Sequence, residues 1–93
     1  MSKFVSIVIV SHSEKIASGV KDLIKQITED VTVEVAGGTE HNEIGTSLTK
    51  IKEAIERARS SQGTLVFYDM GSAKMNVQFA VEVQALSNVE IVD

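Results

Sequence analysis

His12 is the residue whose type and setting lend themselves most directly to chemistry. It stands between Ser11 and Ser13, where an apolar, β-branched run ends and a helical pattern begins. Such a seam gathers unpaired backbone N–H groups and the positive end of a helix dipole, and so favours a bound anion. An imidazole placed there can attack a phosphoryl group if one ring nitrogen is held by an acceptor and the other keeps its lone pair. Asp69, directly after the apolar run 64–68, is the carboxylate that could serve as that acceptor. Phosphoryl oxygens could be held by backbone N–H groups at helix starts, with the hydroxyls of Ser11, Ser13, Thr46 and Ser72 as candidate donors. Gly71 would let the main chain come close. No metal ion and no cofactor is needed for this chemistry.

The other polar residues read more plainly. His41 sits in a glycine-bearing loop without a second ligand partner, which fits a solvated side chain. Gly37, Gly38 and Gly45 do not make a Gly-x-Gly-x-x-Gly fingerprint after the first strand, so dinucleotide binding is weakly supported. Neither Ser11 nor Ser13 stands in a Gly-x-Ser-x-Gly elbow, and both suit a helix cap. The spacing leaves open whether Ser11 with Glu14 or Ser13 alone is the cap.

The elements that must position His12 and Asp69 follow from periodicity. Residues 4–10 are nearly continuous in apolarity, as in a strand buried on both faces. Ile16, Val20, Leu23, Ile24 and Ile27 form one helical stripe, with Lys15, Lys21, Asp22 and Lys25 facing water. Residues 31–35 alternate strictly and predict a strand with one wetter face, near a sheet edge. A long loop over residues 36–46 leads to a second helix from Ser47, with Leu48, Ile51, Ile55 and Ala58 inward; Lys52–Glu56 and Glu53–Arg57 are candidate surface pairs. Residues 64–68 form a third strand. A third helix then carries Met75, Phe79, Ala80, Val83 and Leu86 on its apolar face, widened by Val77 and Val81, and residues 88–93 supply a short fourth strand.

The order β-α-β-α-β-α-β predicts an α/β fold: an open, mainly parallel four-stranded sheet with helices on both faces. Placing the two apolar strands centrally and the alternating one at an edge gives the strand order 2-1-3-4. The first and third strands are then neighbours whose connections leave in opposite directions, and ligands bind at the carboxyl ends of such a pair. His12 and Asp69 both fall there.

Composition narrows the partners. The 93 residues fit a single domain, 1–93, with a modest core, and 43% are hydrophobic. Thirteen acidic against nine basic residues give a net charge of -4, with no basic cluster on which nucleic acid could dock. The run 4–10 is too short to span a bilayer and lacks a signal-peptide pattern. With no cysteine in the chain, a cytoplasmic location is expected.

Val-Ser-His-Ser at residues 10–13, Ala-Gly-Gly at 36–38, Ile-Gly-Thr-Ser at 44–47 and Tyr-Asp-Met-Gly-Ser-Ala-Lys-Met-Asn at 68–76 together resemble one family. It is that of the phosphotransferase subunits of PTS-dependent dihydroxyacetone kinases, which share the fold of mannose-family enzyme IIA proteins. The resemblance spans essentially the whole chain. It implies that His12 accepts a phosphoryl group from the phosphocarrier protein HPr and passes it to ADP bound on the kinase's nucleotide-binding subunit. Asp69 falls on the family's aspartate after strand three, the partner of the histidine. Family members usually continue with another helix and a final antiparallel strand that supports dimerisation. On that resemblance, shortening of the chain at its C-terminus and a homodimer are both open. Two rival readings remain: a mannose-type sugar-transport enzyme IIA, and a non-catalytic regulatory module that binds a small anion.

Overall fold

The computed structural model describes residues 5–28, 30–39, 41, 43–59, 63–69, 71–83 and 89–92. Seven elements follow in turn: β1 (Ser6–Ser11), α1 (Glu14–Ile27), β2 (Val33–Gly37), α2 (Leu48–Ala58), β3 (Thr64–Tyr68), α3 (Gly71–Val83) and β4 (Val89–Ile91). The strands form one sheet in the order β2-β1-β3-β4, and every pairing is parallel. This is the predicted topology.

Each face of the sheet has its own core. On one, Val8 and Val10 of β1 and Val66 of β3 meet Ile51, Ala54, Ile55 and Ala58 of α2 and Ala73, Val77 and Ala80 of α3. Ile51, Ile55, Val8, Val10, Val66 and Val77 are fully buried, and each such side chain contributes about 1.5–3 kcal/mol through the hydrophobic effect. On the other face, Ile9 and Val33 pack on Ala17 of α1, with Ile7, Val20, Ile24 and Phe67 around them. Where Ser6 and Thr64 are both buried, their hydroxyls pair at 2.9 Å, so neither leaves an unsatisfied group.

Two helices turn a different face to the sheet than periodicity predicts. In α3 the buried positions are Ala73, Val77 and Ala80, while Met75 and Phe79 are exposed. Two residues amount to about 200° around a helix, so burying Val77 carries Met75 outward. The small side chains at Ala73 and Ala80 let the helix lie close to the strands. Leu86 falls outside the described residues, as does the Val83 side chain. In α1, Ala17 is buried and Val20 and Ile24 join it, whereas Ile16, Leu23 and Ile27 are 55%, 67% and 85% exposed. This helix covers β1 and β2 alone on its face, so only the half of its apolar stripe nearest them is buried.

Smaller shifts accompany these. The second strand runs two residues further along than the alternation predicts, ending at Gly37. The first begins at Ser6; Phe4 lies outside the described residues. Lys25, expected in water, donates from Nζ to the Val31 carbonyl at 2.7 Å. Arg57 meets Glu34 of β2 at 2.9 Å, which fastens α2 to the edge strand.

Candidate functional site

The register of β1 on β3 pairs Ile9 with Phe67 and Val10 with Tyr68. The next residues on each strand, Ser11 and Asp69, therefore leave the sheet side by side. Ser11 is 1% exposed, and its hydroxyl donates to Asp69 Oδ2 at 2.8 Å. The same Oδ2 accepts the backbone N–H of His12 at 3.1 Å. The other carboxylate oxygen, Oδ1, lies 3.0 Å from His12 Nδ1.

Because an ionised carboxylate can only accept, Nδ1 carries the proton in that contact. In the neutral ring the lone pair then belongs to Nε2. Burial alone would raise the Asp69 pKa. The hydrogen bonds from His12 Nδ1, Ser11 and the His12 N–H, together with the imidazole charge, outweigh it and hold the carboxyl below its ordinary value. The two side chains are 15% and 29% exposed, so the pair is shielded yet reachable.

The serines build the frame around this pair. Ser13 is the N-cap of α1, its hydroxyl accepting from the Ile16 N–H at 3.4 Å, which decides between the two candidate caps. Ser11 Oγ accepts the Ser13 N–H at 3.1 Å while giving its own proton to Asp69. Its role toward the carboxylate carries no sequence signal, since nothing in the spacing of residues 11 and 69 tells a helix cap from a carboxylate partner.

Described residues of the loop that leads into α2 tie back to the seam. The Gly38 N–H donates to the Ser11 carbonyl at 3.2 Å and the Gly45 N–H to the His12 carbonyl at 2.8 Å. Gly45 has φ +143°, a conformation that side chains rarely tolerate. A Cβ on Gly37 would lie 2.5 Å from Glu14 Cα, so glycine there is what lets β2 end against the start of α1. Thr39 braces the loop, accepting the N–H groups of His41 and Glu43, and His41 itself is exposed.

Thr46 is brought to α3, where Asn76 Nδ2 donates to its hydroxyl at 2.5 Å. Asn76 is in the motif that carries the resemblance, but its spacing points to no role. Gly71 opens α3 two residues after Asp69; the Ser72 side chain and Met70 lie outside what is described. The amino ends of α1 and α3 thus both flank the His12–Asp69 pair. A cleft of about 330 Å³ runs from Asp69 past Phe67, Ile9 and Ile7 to Val20 and Ile24, over the half of the sheet that α1 leaves open. Among the described residues no helix is long and apolar enough to cross a membrane.

Residues 6–93 match the EIIA-man family, described as PTS system fructose IIA component. The chain is 46% identical over 92 residues to the phosphoryl donor subunit DhaM of PEP-dependent dihydroxyacetone kinase 1 from Listeria innocua, covering 99% of this chain and 71% of that one. The chain belongs to the EIIA-man family and, within it, to the DhaM subunits. A second relative is the phosphotransferase subunit DhaM of a PTS-dependent dihydroxyacetone kinase from Lactococcus lactis. It is 44% identical over 77 residues, covering 83% of this chain and 62% of that DhaM. The crystal structure of the unknown-function protein EF1359 superposes with a TM-score of 0.82 and 32% identity, over 97% of this chain and 72% of that one. The chain thus spans 71% and 62% of the lengths of these two DhaM relatives.

Proposed function

We propose that this chain is a phosphohistidine carrier that serves as the phosphoryl donor subunit of a dihydroxyacetone kinase. The observation that carries the reading is the 3.0 Å contact between Asp69 Oδ1 and His12 Nδ1. That contact supports a ring protonated at Nδ1, with Nε2 acting as the nucleophile.

In the loading step the Nε2 lone pair forms a bond to phosphorus. The bond between phosphorus and the leaving nitrogen of the donor phosphohistidine breaks, and its electron pair stays with the donor. The donor is HPr. His12 keeps its Nδ1 proton and becomes cationic, and Asp69 stabilises that charge. In the unloading step the N–P bond breaks, its pair returns to Nε2, and a terminal phosphate oxygen of ADP bound on the kinase's nucleotide-binding subunit forms the new P–O bond. The transferring group spreads its charge over three oxygens. The Thr46 hydroxyl and the N–H groups at the start of α3, at Gly71 and Ser72, are the donors assigned to them. Ser11 and Ser13 act mainly through the frame, and both exchanges take place in the cytoplasm.

The reading is tested by loading the protein with phosphoenolpyruvate, enzyme I and HPr, then offering two acceptors separately. Fast loss of phosphate to the kinase's nucleotide-binding subunit with ADP supports it. Preferential loss to a mannose-type sugar permease would assign the chain to sugar transport instead. Failure to load at all would favour a regulatory module.

A further inference from the structure

We infer that Asn76 is a positioning residue for phosphoryl transfer at His12. It fixes Thr46 Oγ1 as a hydrogen-bond acceptor and so directs the Thr46 hydroxyl proton to the phosphoryl oxygens. This rests on the carrier reading above and adds to it the device that orients one of its donors.

Asn76 lies in α3 and Thr46 at the end of the loop that leads into α2, 30 residues apart in sequence, and Nδ2 meets Oγ1 at 2.5 Å in a partly buried setting. An amide nitrogen has only protons to give. Thr46 Oγ1 therefore accepts from Asn76, and its single hydrogen must point elsewhere. The residue before it, Gly45, holds the His12 carbonyl through its N–H at 2.8 Å. On the other side, α3 opens two residues after Asp69. The hydroxyl thus belongs to a loop that holds the His12 carbonyl and bonds to the helix that opens beside Asp69, and accepting from the amide polarises its O–H into a stronger donor. The same bond ties the loop to α3 and, through Gly45, fixes the backbone of His12.

Asn76→Asp tests this directly. The aspartate is nearly isosteric but can only accept, so Thr46 must turn its proton to it and away from the phosphoryl group. His12 phosphorylation, driven by phosphoenolpyruvate, enzyme I and HPr, is expected to slow about ten- to a hundredfold, the worth of one hydrogen bond to a charged group. Thr46→Val is expected to slow it comparably, and Thr46→Ser, which keeps a hydroxyl, to recover transfer relative to Thr46→Val. The ¹⁵N shifts of the His12 ring should stay as in the wild type, because the Asp69 contact is untouched.

The double variant separates orientation from the added charge. Placed on Thr46→Val, Asn76→Asp should cost little more. A further loss as large as in the wild type would assign the effect to charge and overturn the inference, as would a wild-type rate in Asn76→Asp alone. Should Asn76→Asp not fold, Asn76→Ala decides in the same cycle: effects that multiply with Thr46→Val refute the coupling, and effects that do not multiply support it. Absence of acid-labile phosphate on the wild type would instead overturn the carrier reading, and this inference with it.

Discussion

Replacing Asp69 by asparagine changes one atom's hydrogen-bonding sense, and the geometry says which tautomer of His12 results. The His12 backbone N–H is a fixed donor and points at Oδ2, which also accepts from Ser11. The asparagine must therefore keep its oxygen in that position, which turns its NH₂ toward His12 Nδ1. Two donors cannot face each other, so Nδ1 gives up its proton and the ring carries it on Nε2, the atom that must attack. The variant loses one charge-assisted hydrogen bond and holds the nucleophile in the wrong state. Such a bond contributes about 1.5–3 kcal/mol, so phosphorylation is expected to slow about 10- to 150-fold. Stopped-flow or quench-flow loading from HPr measures the rate, and ¹⁵N shifts of the ring report the tautomer. The fold should persist, because Ser11 and the His12 N–H keep an acceptor. Wild-type loading kinetics, or an unchanged tautomer, would refute the reasoning.

Three further outcomes follow from the same geometry. Asp69 titrates below its ordinary value in the folded chain, so its stabilising contribution is present above the unfolded carboxylate pKa and lost as pH falls through the folded one. Urea midpoints of the wild type and Asp69→Asn should keep a steady gap from about pH 7 to about pH 4 and converge only as pH falls further, and a gap that widens below about pH 4 would contradict this. Gly37→Ala drives a Cβ to within 2.5 Å of Glu14 Cα; a loss of about 1–3 kcal/mol is expected in urea unfolding, and an unchanged midpoint would show that no close approach exists. Ile55 is 0% exposed and Ile27 85%. Ile55→Ala should destabilise by about 2–5 kcal/mol while Ile27→Ala stays within about 0.5 kcal/mol, and similar thermal shifts for the two would put the core elsewhere.

The strands were legible because their signal is local. The apolar runs that hold Val8–Val10 and Val66 mark central strands, and the alternation before Gly37 marks an edge. From that order the neighbourhood of His12 and Asp69 follows with no side-chain information. What stayed hidden depends on how far the sheet extends beneath a helix. In α3 apolar residues occur at 73, 75, 77, 79, 80, 81 and 83, so periodicity cannot choose between the Met75–Phe79 face and the Ala73–Val77–Ala80 face; close approach to the strands selects the small residues. The α1 stripe is legible as a stripe, but nothing in it says that Ala17, Val20 and Ile24 are the residues that join the core. The contacts of Ser11 with Asp69 and of Asn76 with Thr46 join polar residues 58 and 30 positions apart. No periodicity records such pairs.

The account stands on His12 as the phosphoryl acceptor. Its most direct test is the intact mass of the protein after incubation with phosphoenolpyruvate, enzyme I and HPr, read before and after mild acid. The wild type should gain the mass of one phosphate and lose it in acid, and His12→Ala should gain none. Phosphate retained by His12→Ala, or stable to acid on the wild type, would contradict it.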